Sequence, residues 1–326
     1  MDRPALLRKS AQDLGLDALG ISRAERPPQS RNLSEWLSLS YHGEMDWMAR
    51  TSGIRMDPTA YDSSARTIIV AGLSSRQTAP FLKRGRIAAY AQGMDYHEVL
   101  REHLENLAQK TIVPWGGKYR ITVDSSPIME KPLAALAGLG WQGKNTLLIH
   151  PQHGPWLLLG CLLTDLDISP DSPTKDHCGT CTRCMDACPT HAFPQPYVLD
   201  SRRCLAYLTI EHTGSIPPEF RPLLGDRLFG CDECLEACPW NRHARQSREI
   251  RLRPIPRTDL NEMLSWDEDR FRKEFRGTPI FRLKRHRWVR NICVVLGNIG
   301  TREDLPALQK SSQETDPMIR EHASWA

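Results

Sequence analysis

Two stretches near the middle of the chain constrain it most: CGTCTRCMDACPT at 178–190 and CDECLEACPW at 231–240. The first sets Cys178, Cys181, Cys184 and Cys188 in C-x2-C-x2-C-x3-C-P spacing, and the second repeats the pattern with Cys231, Cys234 and Cys238 but lacks one cysteine. The segment before them argues against export. MDRPALLRKSAQDLGLDALG has charges on both sides of its short apolar runs and reads as an amphipathic helix rather than a secretion signal. The longest apolar run, Trp156–Leu163, is far short of the roughly 20 residues that cross a bilayer. We therefore expect a soluble, cytoplasmic chain with no membrane association, and in that compartment ten cysteines are not a disulfide framework. They read as metal ligands instead.

The first spacing is that of bacterial two-cluster ferredoxins. Three thiolates within seven residues can wrap three irons of one cubane, while the fourth, behind its proline-bounded turn, serves the other cluster. Reciprocity then gives one [4Fe-4S] cluster held by Cys178, Cys181, Cys184 and Cys238, and a second held by Cys188, Cys231 and Cys234 plus one more residue. Cys204 is the only other cysteine between the motifs and fills that place. Cys161 and Cys293, left over in apolar runs, read as small buried hydrophobes. Two C-x2-C pairs could also make a zinc ribbon, but a ribbon leaves the two Cys-Pro cysteines without a role.

Around this centre the 326 residues divide by composition. Residues 1–168 alternate helix-like and strand-like segments and read as an α/β domain. Its strands are Arg66–Leu73, KYRITVD ending at Asp124, and two within NTLLIHPQHGPWLLLGCLLTDL joined by a Pro/Gly turn; helices are DYHEVLREHLENLAQK and PIMEKPLAALAGLG. Residues 169–255 open with a Pro/Ser/Asp linker, carry the cysteine motifs and end in an Arg-rich joint. Residues 256–326 read as helical, with VRNICVVL from Val289 echoed by IREHASWA from Ile319, the repeat of a HEAT-like segment that the sequence cuts short.

Other signals fail on inspection. GLGWQGKN at 138–145 begins like a phosphate-binding loop, yet Asn145 stands where Ser/Thr should hold magnesium, and a helix precedes it where a strand belongs. Asp95–His97 approaches a cobalt-ligating D-x-H-x2-G pattern, but Leu100 replaces the glycine. No G-x-G-x2-G supports a nicotinamide cofactor.

Asp124 with the run SSPIMEKPLAALAGLGWQGKNTLLI that follows it at 125–149, the cysteine block, SRRCLAYLTIE and LFGCDECLEACPWN together resemble the epoxyqueuosine reductases over essentially the whole chain. The resemblance implies a cobalamin-binding α/β domain, a ferredoxin-like domain with two [4Fe-4S] clusters and a HEAT-like tail. It implies reduction of an epoxide to queuosine at a tRNA wobble position, with an external flavodoxin- or ferredoxin-like electron donor and a monomeric enzyme. It also implies Asp124 as the proton donor, and Arg55, Tyr96, His97, Asp124, Lys144 and Thr209 as residues lining the cobalamin. For Asp124 to donate, partial burial should raise its pKa; read without the resemblance, the same Asp-Ser-Ser is a helix N-cap. The cations Arg282, Lys284, Arg285, Arg287 and Arg290, and a second run from Arg242 to Arg253, are candidate phosphate contacts for an anticodon stem, or else a solvated face.

Three rivals stay open at this point. One is a related cobalamin and iron–sulfur reductase of a small molecule, of the dehalogenase kind. A second is a ferredoxin-type carrier, which leaves the first domain idle. The third is a HEAT scaffold, which needs more repeats.

Overall fold

The computed structural model describes residues 2–77, 82, 84–255 and 258–326, so Pro256, at the expected start of the C-terminal segment, lies outside the described residues. Its strands are β1 Ala18–Arg23, β2 Thr67–Ser74, β3 Arg86–Ile87, β4 Tyr119–Thr122, β5 Trp141–Gln142, β6 Leu148–Ile149, β7 Leu157–Thr164 and β8 Arg227–Phe229.

Strands β1-β2-β7-β4, in that order, form a sheet that is antiparallel throughout. The apolar run of β2 is continuous because both its faces are covered. Ile69, Ala71 and Leu73 join the core made by helices Arg3–Asp13 and Tyr96–Lys110, while Ile68 and Val70 face the one built on helix Glu130–Leu136. The result is a helix–sheet–helix sandwich. Gly160 of β7 lets the long helix lie close, since a Cβ there would come within 2.8 Å of Leu104. Cys161 and Cys293 are fully buried, as their apolar settings suggested.

The two strands expected around the Pro/Gly turn are present as β6 and β7, but they do not pair with each other. β6 is two residues long and pairs with β5, and β7 runs between β2 and β4. The long apolar run of β7 has more to bury in the central sheet than a two-stranded ribbon could cover.

The C-terminal segment is helical, led by Lys284–Ile299, Leu305–Ser311 and Pro317–Trp325. Its core also takes in Ile87, Ala91, Ile210, Leu228 and Phe229, so the parallel pair β3-β8 ties the first third of the chain to the last. Among the described residues no helix is long and apolar enough to cross a membrane.

Candidate functional site

The cysteine loops have one build. A single helical turn, Arg183–Asp186 carrying Cys184 in the first and Glu233–Glu236 carrying Cys234 in the second, leads to Cys-Pro. The residue before proline is held extended, as Cys238 is at φ −67°, ψ 125°, which turns its thiol out of the helical turn. Cys178, Cys181, Cys184 and Cys238 line one cavity of about 190 Å³. Cys234 lies within Coulombic reach of Cys204, Cys231 and Cys188, and also of Cys184 of the first group. The eight cysteines thus gather in two neighbouring groups.

Burial, reinforced by neighbouring thiols, pushes Cys184 up to about 11. Burial likewise pushes Cys231 up to about 12. A metal must therefore drive their deprotonation. Two sets of four soft thiols fit a pair of iron–sulfur clusters. A tetrahedral zinc with bonds of about 2.3 Å would need sulfurs about 3.8 Å apart; among the described residues no three His, Cys, Asp or Glu converge tightly enough to hold a single ion.

The false phosphate loop has a use here. Lys144 donates to the Gly179 carbonyl at 2.6 Å, and Asn145 donates to the Cys234 carbonyl at 3.2 Å, so the β5–β6 turn clamps both cysteine loops. Trp141 donates to Cys178 Sγ at 3.4 Å.

A second site forms where β4 ends. Asp124 follows Thr122 by two residues, with φ +51°, a left-handed backbone that aspartate tolerates better than most residues. It caps no helix: helix Glu130–Leu136 begins after Met129 and has no side-chain cap. The N-terminus of helix Tyr96–Lys110 reaches the same place, capped by Asp95. His97 sits between two carboxylates, with Nδ1 2.6 Å from Asp95 Oδ1 and Nε2 3.2 Å from Asp124 Oδ2. Tyr96 stacks on its ring at 4.1 Å between centroids, and Tyr90 packs edge-on against Tyr96.

Burial alone would lower the His97 pKa, but its hydrogen bonds to Asp124 and Asp95 win and hold it at about 9. It is an imidazolium at neutral pH and both ring nitrogens donate. For Asp124 burial acts upward, and the His97 hydrogen bond and charge outweigh it, so its carboxyl lies below the usual range. The sequence reading expected burial to raise the Asp124 pKa; here the His97 hydrogen bond and charge outweigh burial and hold the carboxyl low.

The sequence reading missed Glu130. Its Oε1 accepts the Asp124 backbone N–H at 2.7 Å, and burial with the nearby Asp124 charge raises it to about 8. Arg55 is buried, stacks over Trp47 at 5.0 Å and feels the charges of both Asp124 and Glu130. Tyr90 links the two sites, being within Coulombic reach of Asp124 and of Asp232, the neighbour of Cys231.

Of the expected cobalamin residues, Arg55, Tyr96, His97 and Asp124 come together, while the polar groups of Lys144 and Thr209 are engaged by the backbone. The Lys144 ammonium is spent on the first cysteine loop. Thr209 is fully buried, its hydroxyl donating to the Leu205 carbonyl and accepting from Gly230 N–H, so that hydroxyl can only shape a wall.

Of the expected phosphate contacts, Arg290 is corrected. It is fully buried and donates to the carbonyls of Leu208, His212 and Gly214, because its position faces the inside of helix Lys284–Ile299. Arg287 donates to three carbonyls and Arg285 to the Trp266 carbonyl and Glu314. Arg282, paired with Glu211 at 3.0 Å, and Lys284 remain exposed. In the second run, Arg248 pairs with Asp17 and Arg251 with Glu249 and Glu102.

Residues 177–241 match the family described as 4Fe-4S double cluster binding domain, and residues 55–125 the one described as Epoxyqueuosine reductase QueG, DUF1730. The epoxyqueuosine reductase of Xanthomonas campestris is 40% identical over all of this chain and 95% of its own length; that of Escherichia coli K12 is 39% identical over all of this chain and 91% of its own. A crystal structure of epoxyqueuosine reductase with a tRNA-Tyr epoxyqueuosine-modified stem loop superposes with a TM-score of 0.90 at 29% identity, covering 99% of this chain and 88% of that one. The Bacillus subtilis enzyme, with its catalytic loop swung out of the active site, gives 0.88 at 27% identity, covering 99% of this chain and 88% of its own. The chain belongs to the epoxyqueuosine reductase family.

Proposed function

We infer that this chain reduces epoxyqueuosine to queuosine in the anticodon of a tRNA, through two [4Fe-4S] clusters and cobalamin, with His97 and Asp124 together delivering a proton. The observation that carries the reading is the meeting of two parts: eight thiols in two adjacent sets, and a carboxylate–imidazolium–carboxylate row with its Asp124 end exposed, which Tyr90 joins to the second set.

Converting an epoxide to an alkene takes two electrons and two protons, and releases the oxygen as water. Clusters pass electrons singly, and cobalamin, when bound, supplies the low-valent cobalt that pools them beside the substrate. The residues suit it: Tyr90 and Tyr96 meet edge to face beside His97, and Arg55 adds cationic charge for a corrin's phosphate. His97 has both ring nitrogens engaged and is not free to ligate cobalt. Asp124 accepts a proton from His97 Nε2 and presents it to the departing oxygen, which is general acid catalysis by a two-residue relay. Asp95 keeps the imidazole oriented and charged until that transfer.

The substrate's phosphates would meet Arg282 and Lys284. Helix Pro317–Trp325 returns to pack on helix Lys284–Ile299, as successive repeats do in a solenoid, which supports the HEAT-like reading of residues 256–326. The cytoplasm is the compartment that tRNA and reduced thiols require.

The test is anaerobic reconstitution with iron, sulfide and cobalamin, followed by an epoxyqueuosine stem loop and a chemical reductant. Conversion to queuosine that depends on cobalamin supports the reading. Conversion of none, with about eight irons per chain bound, would leave an electron carrier.

A further inference from the structure

The two cysteine loops differ in what surrounds them. Around the first, Lys175, His177, Gly179, Thr180, Thr182, Arg183 and Asp186 are all exposed; in the second, from 231 to 240, only Glu236 is. The second set is also the one that Tyr90 joins to Asp124. Electrons bound for the cleft therefore have their open doorway at the first set, on the side away from the acid.

That doorway is basic. Lys175, Arg183 and Arg242 are exposed and, among the described residues, form no ion pair; His177 and His243 stand beside them in sequence. Two acids share the face and both are engaged. Asp176 accepts from Tyr197 at 2.5 Å and from the Cys178 N–H, and Asp186 accepts from Thr182. Tyr197 is 42 % exposed, an aromatic anchor at the patch. Behind it Trp141, Trp240 and His177 pack ring against ring, with Trp141 and Trp240 4.8 Å apart, so apolar surface reaches from the protein's edge to Cys178.

We propose that the face formed by Lys175, His177, Arg183, Tyr197, Arg242 and His243 docks an acidic one-electron carrier protein that reduces the first cluster. This rests on the reading of the cysteines as cluster ligands and names the partner's chemistry. Each encounter oxidises the carrier by one electron and reduces the cluster by one, so two encounters supply one epoxide. Unpaired cations around the point of entry steer an acidic partner and orient it, and such charges act mainly on association rate.

The experiment is stopped-flow reduction of the fully reconstituted chain without tRNA, followed by bleaching of the cluster absorbance. Reduced flavodoxin is the acidic carrier, and reduced methyl viologen is a small cationic control that the patch cannot attract. With Lys175→Glu/Arg183→Glu, reduction by flavodoxin should slow by about tenfold or more and lose most of its salt dependence. Reduction by methyl viologen should stay as fast as in the unchanged protein, with iron content the same. An unchanged flavodoxin rate would overturn the proposal by moving the doorway elsewhere. Equal slowing with both reductants would overturn it too, by assigning the two cations to cluster integrity. Either result can be read whether or not the chain turns over epoxyqueuosine, so failure here is separate from failure of the enzymatic reading.

Discussion

The electron-carrying part and the proton-carrying part of this molecule are built on opposite principles. The cysteine loops are short turns, each of which hands its Cys-Pro cysteine to the other loop's set, and they wait for iron to set their charge. The acid site is assembled from distant segments: Asp95 and His97 at a helix start, Asp124 beyond a strand end, Glu130 on the next helix and Arg55 from an earlier one. Its charges balance without any cofactor. A cluster site is therefore lost whole when one ligand goes, while the acid site should degrade in steps.

The largest effect should come from Cys204→Ala, which removes the proposed fourth ligand of the second cluster. Iron should fall by about four atoms per chain, the content of one cubane, and tRNA turnover should vanish. Full iron content in that variant would break the assignment. Next, Glu130→Ala frees the Asp124 backbone from its acceptor. Turnover should drop by about tenfold or more, the sensitivity expected when a reacting group loses its position, whereas Glu130→Gln, which keeps an acceptor oxygen, should recover most of it.

The relay also sets a pH dependence. His97 holds its proton below about 9 and loses it above, so turnover should be sustained at neutral pH and fall as pH rises through 9. Asp95→Asn removes one raising partner and should move that fall to lower pH; an unmoved profile would take His97 out of the relay. The smallest effects should come from the cations. Arg282→Ala with Lys284→Ala should weaken stem-loop binding a few-fold and flatten its salt slope, with thermal stability unchanged. Arg290→Ala should do the reverse, destabilising the fold by roughly 2–3 kcal/mol because three or more buried carbonyl bonds are lost.

These contrasts explain what could be read from the residues alone. The cysteine motifs are legible because residue type and spacing are local properties, and counting placed Cys204 near Cys231 and Cys234, where it lies. Three of the sheet's four strands were legible, β1 lying partly in a segment read as helix, but the pairing was not, because neighbours such as β2 and β7 lie far apart in sequence. Asp124 was visible only through family resemblance, and the direction of its pKa shift was not legible, since that depends on His97, 27 residues earlier, meeting it across the fold. Glu130 looked like any helix-starting acid. The basic run from Arg282 hid its inward face because charge alone does not show which side of a helix is covered, and Arg290 is the cost of that ambiguity.

The measurement that bears most directly on this division is made on Asp124→Asn, reconstituted and assayed beside the unchanged chain for iron, cobalt and stem-loop conversion. The account predicts about eight irons and one cobalt per chain in both proteins, with turnover lower by about 10²–10⁴-fold in the variant, the range of general acid catalysis. Turnover equal to that of the unchanged chain, with the same metal content, would contradict it and remove the Asp95–His97–Asp124 row from the chemistry.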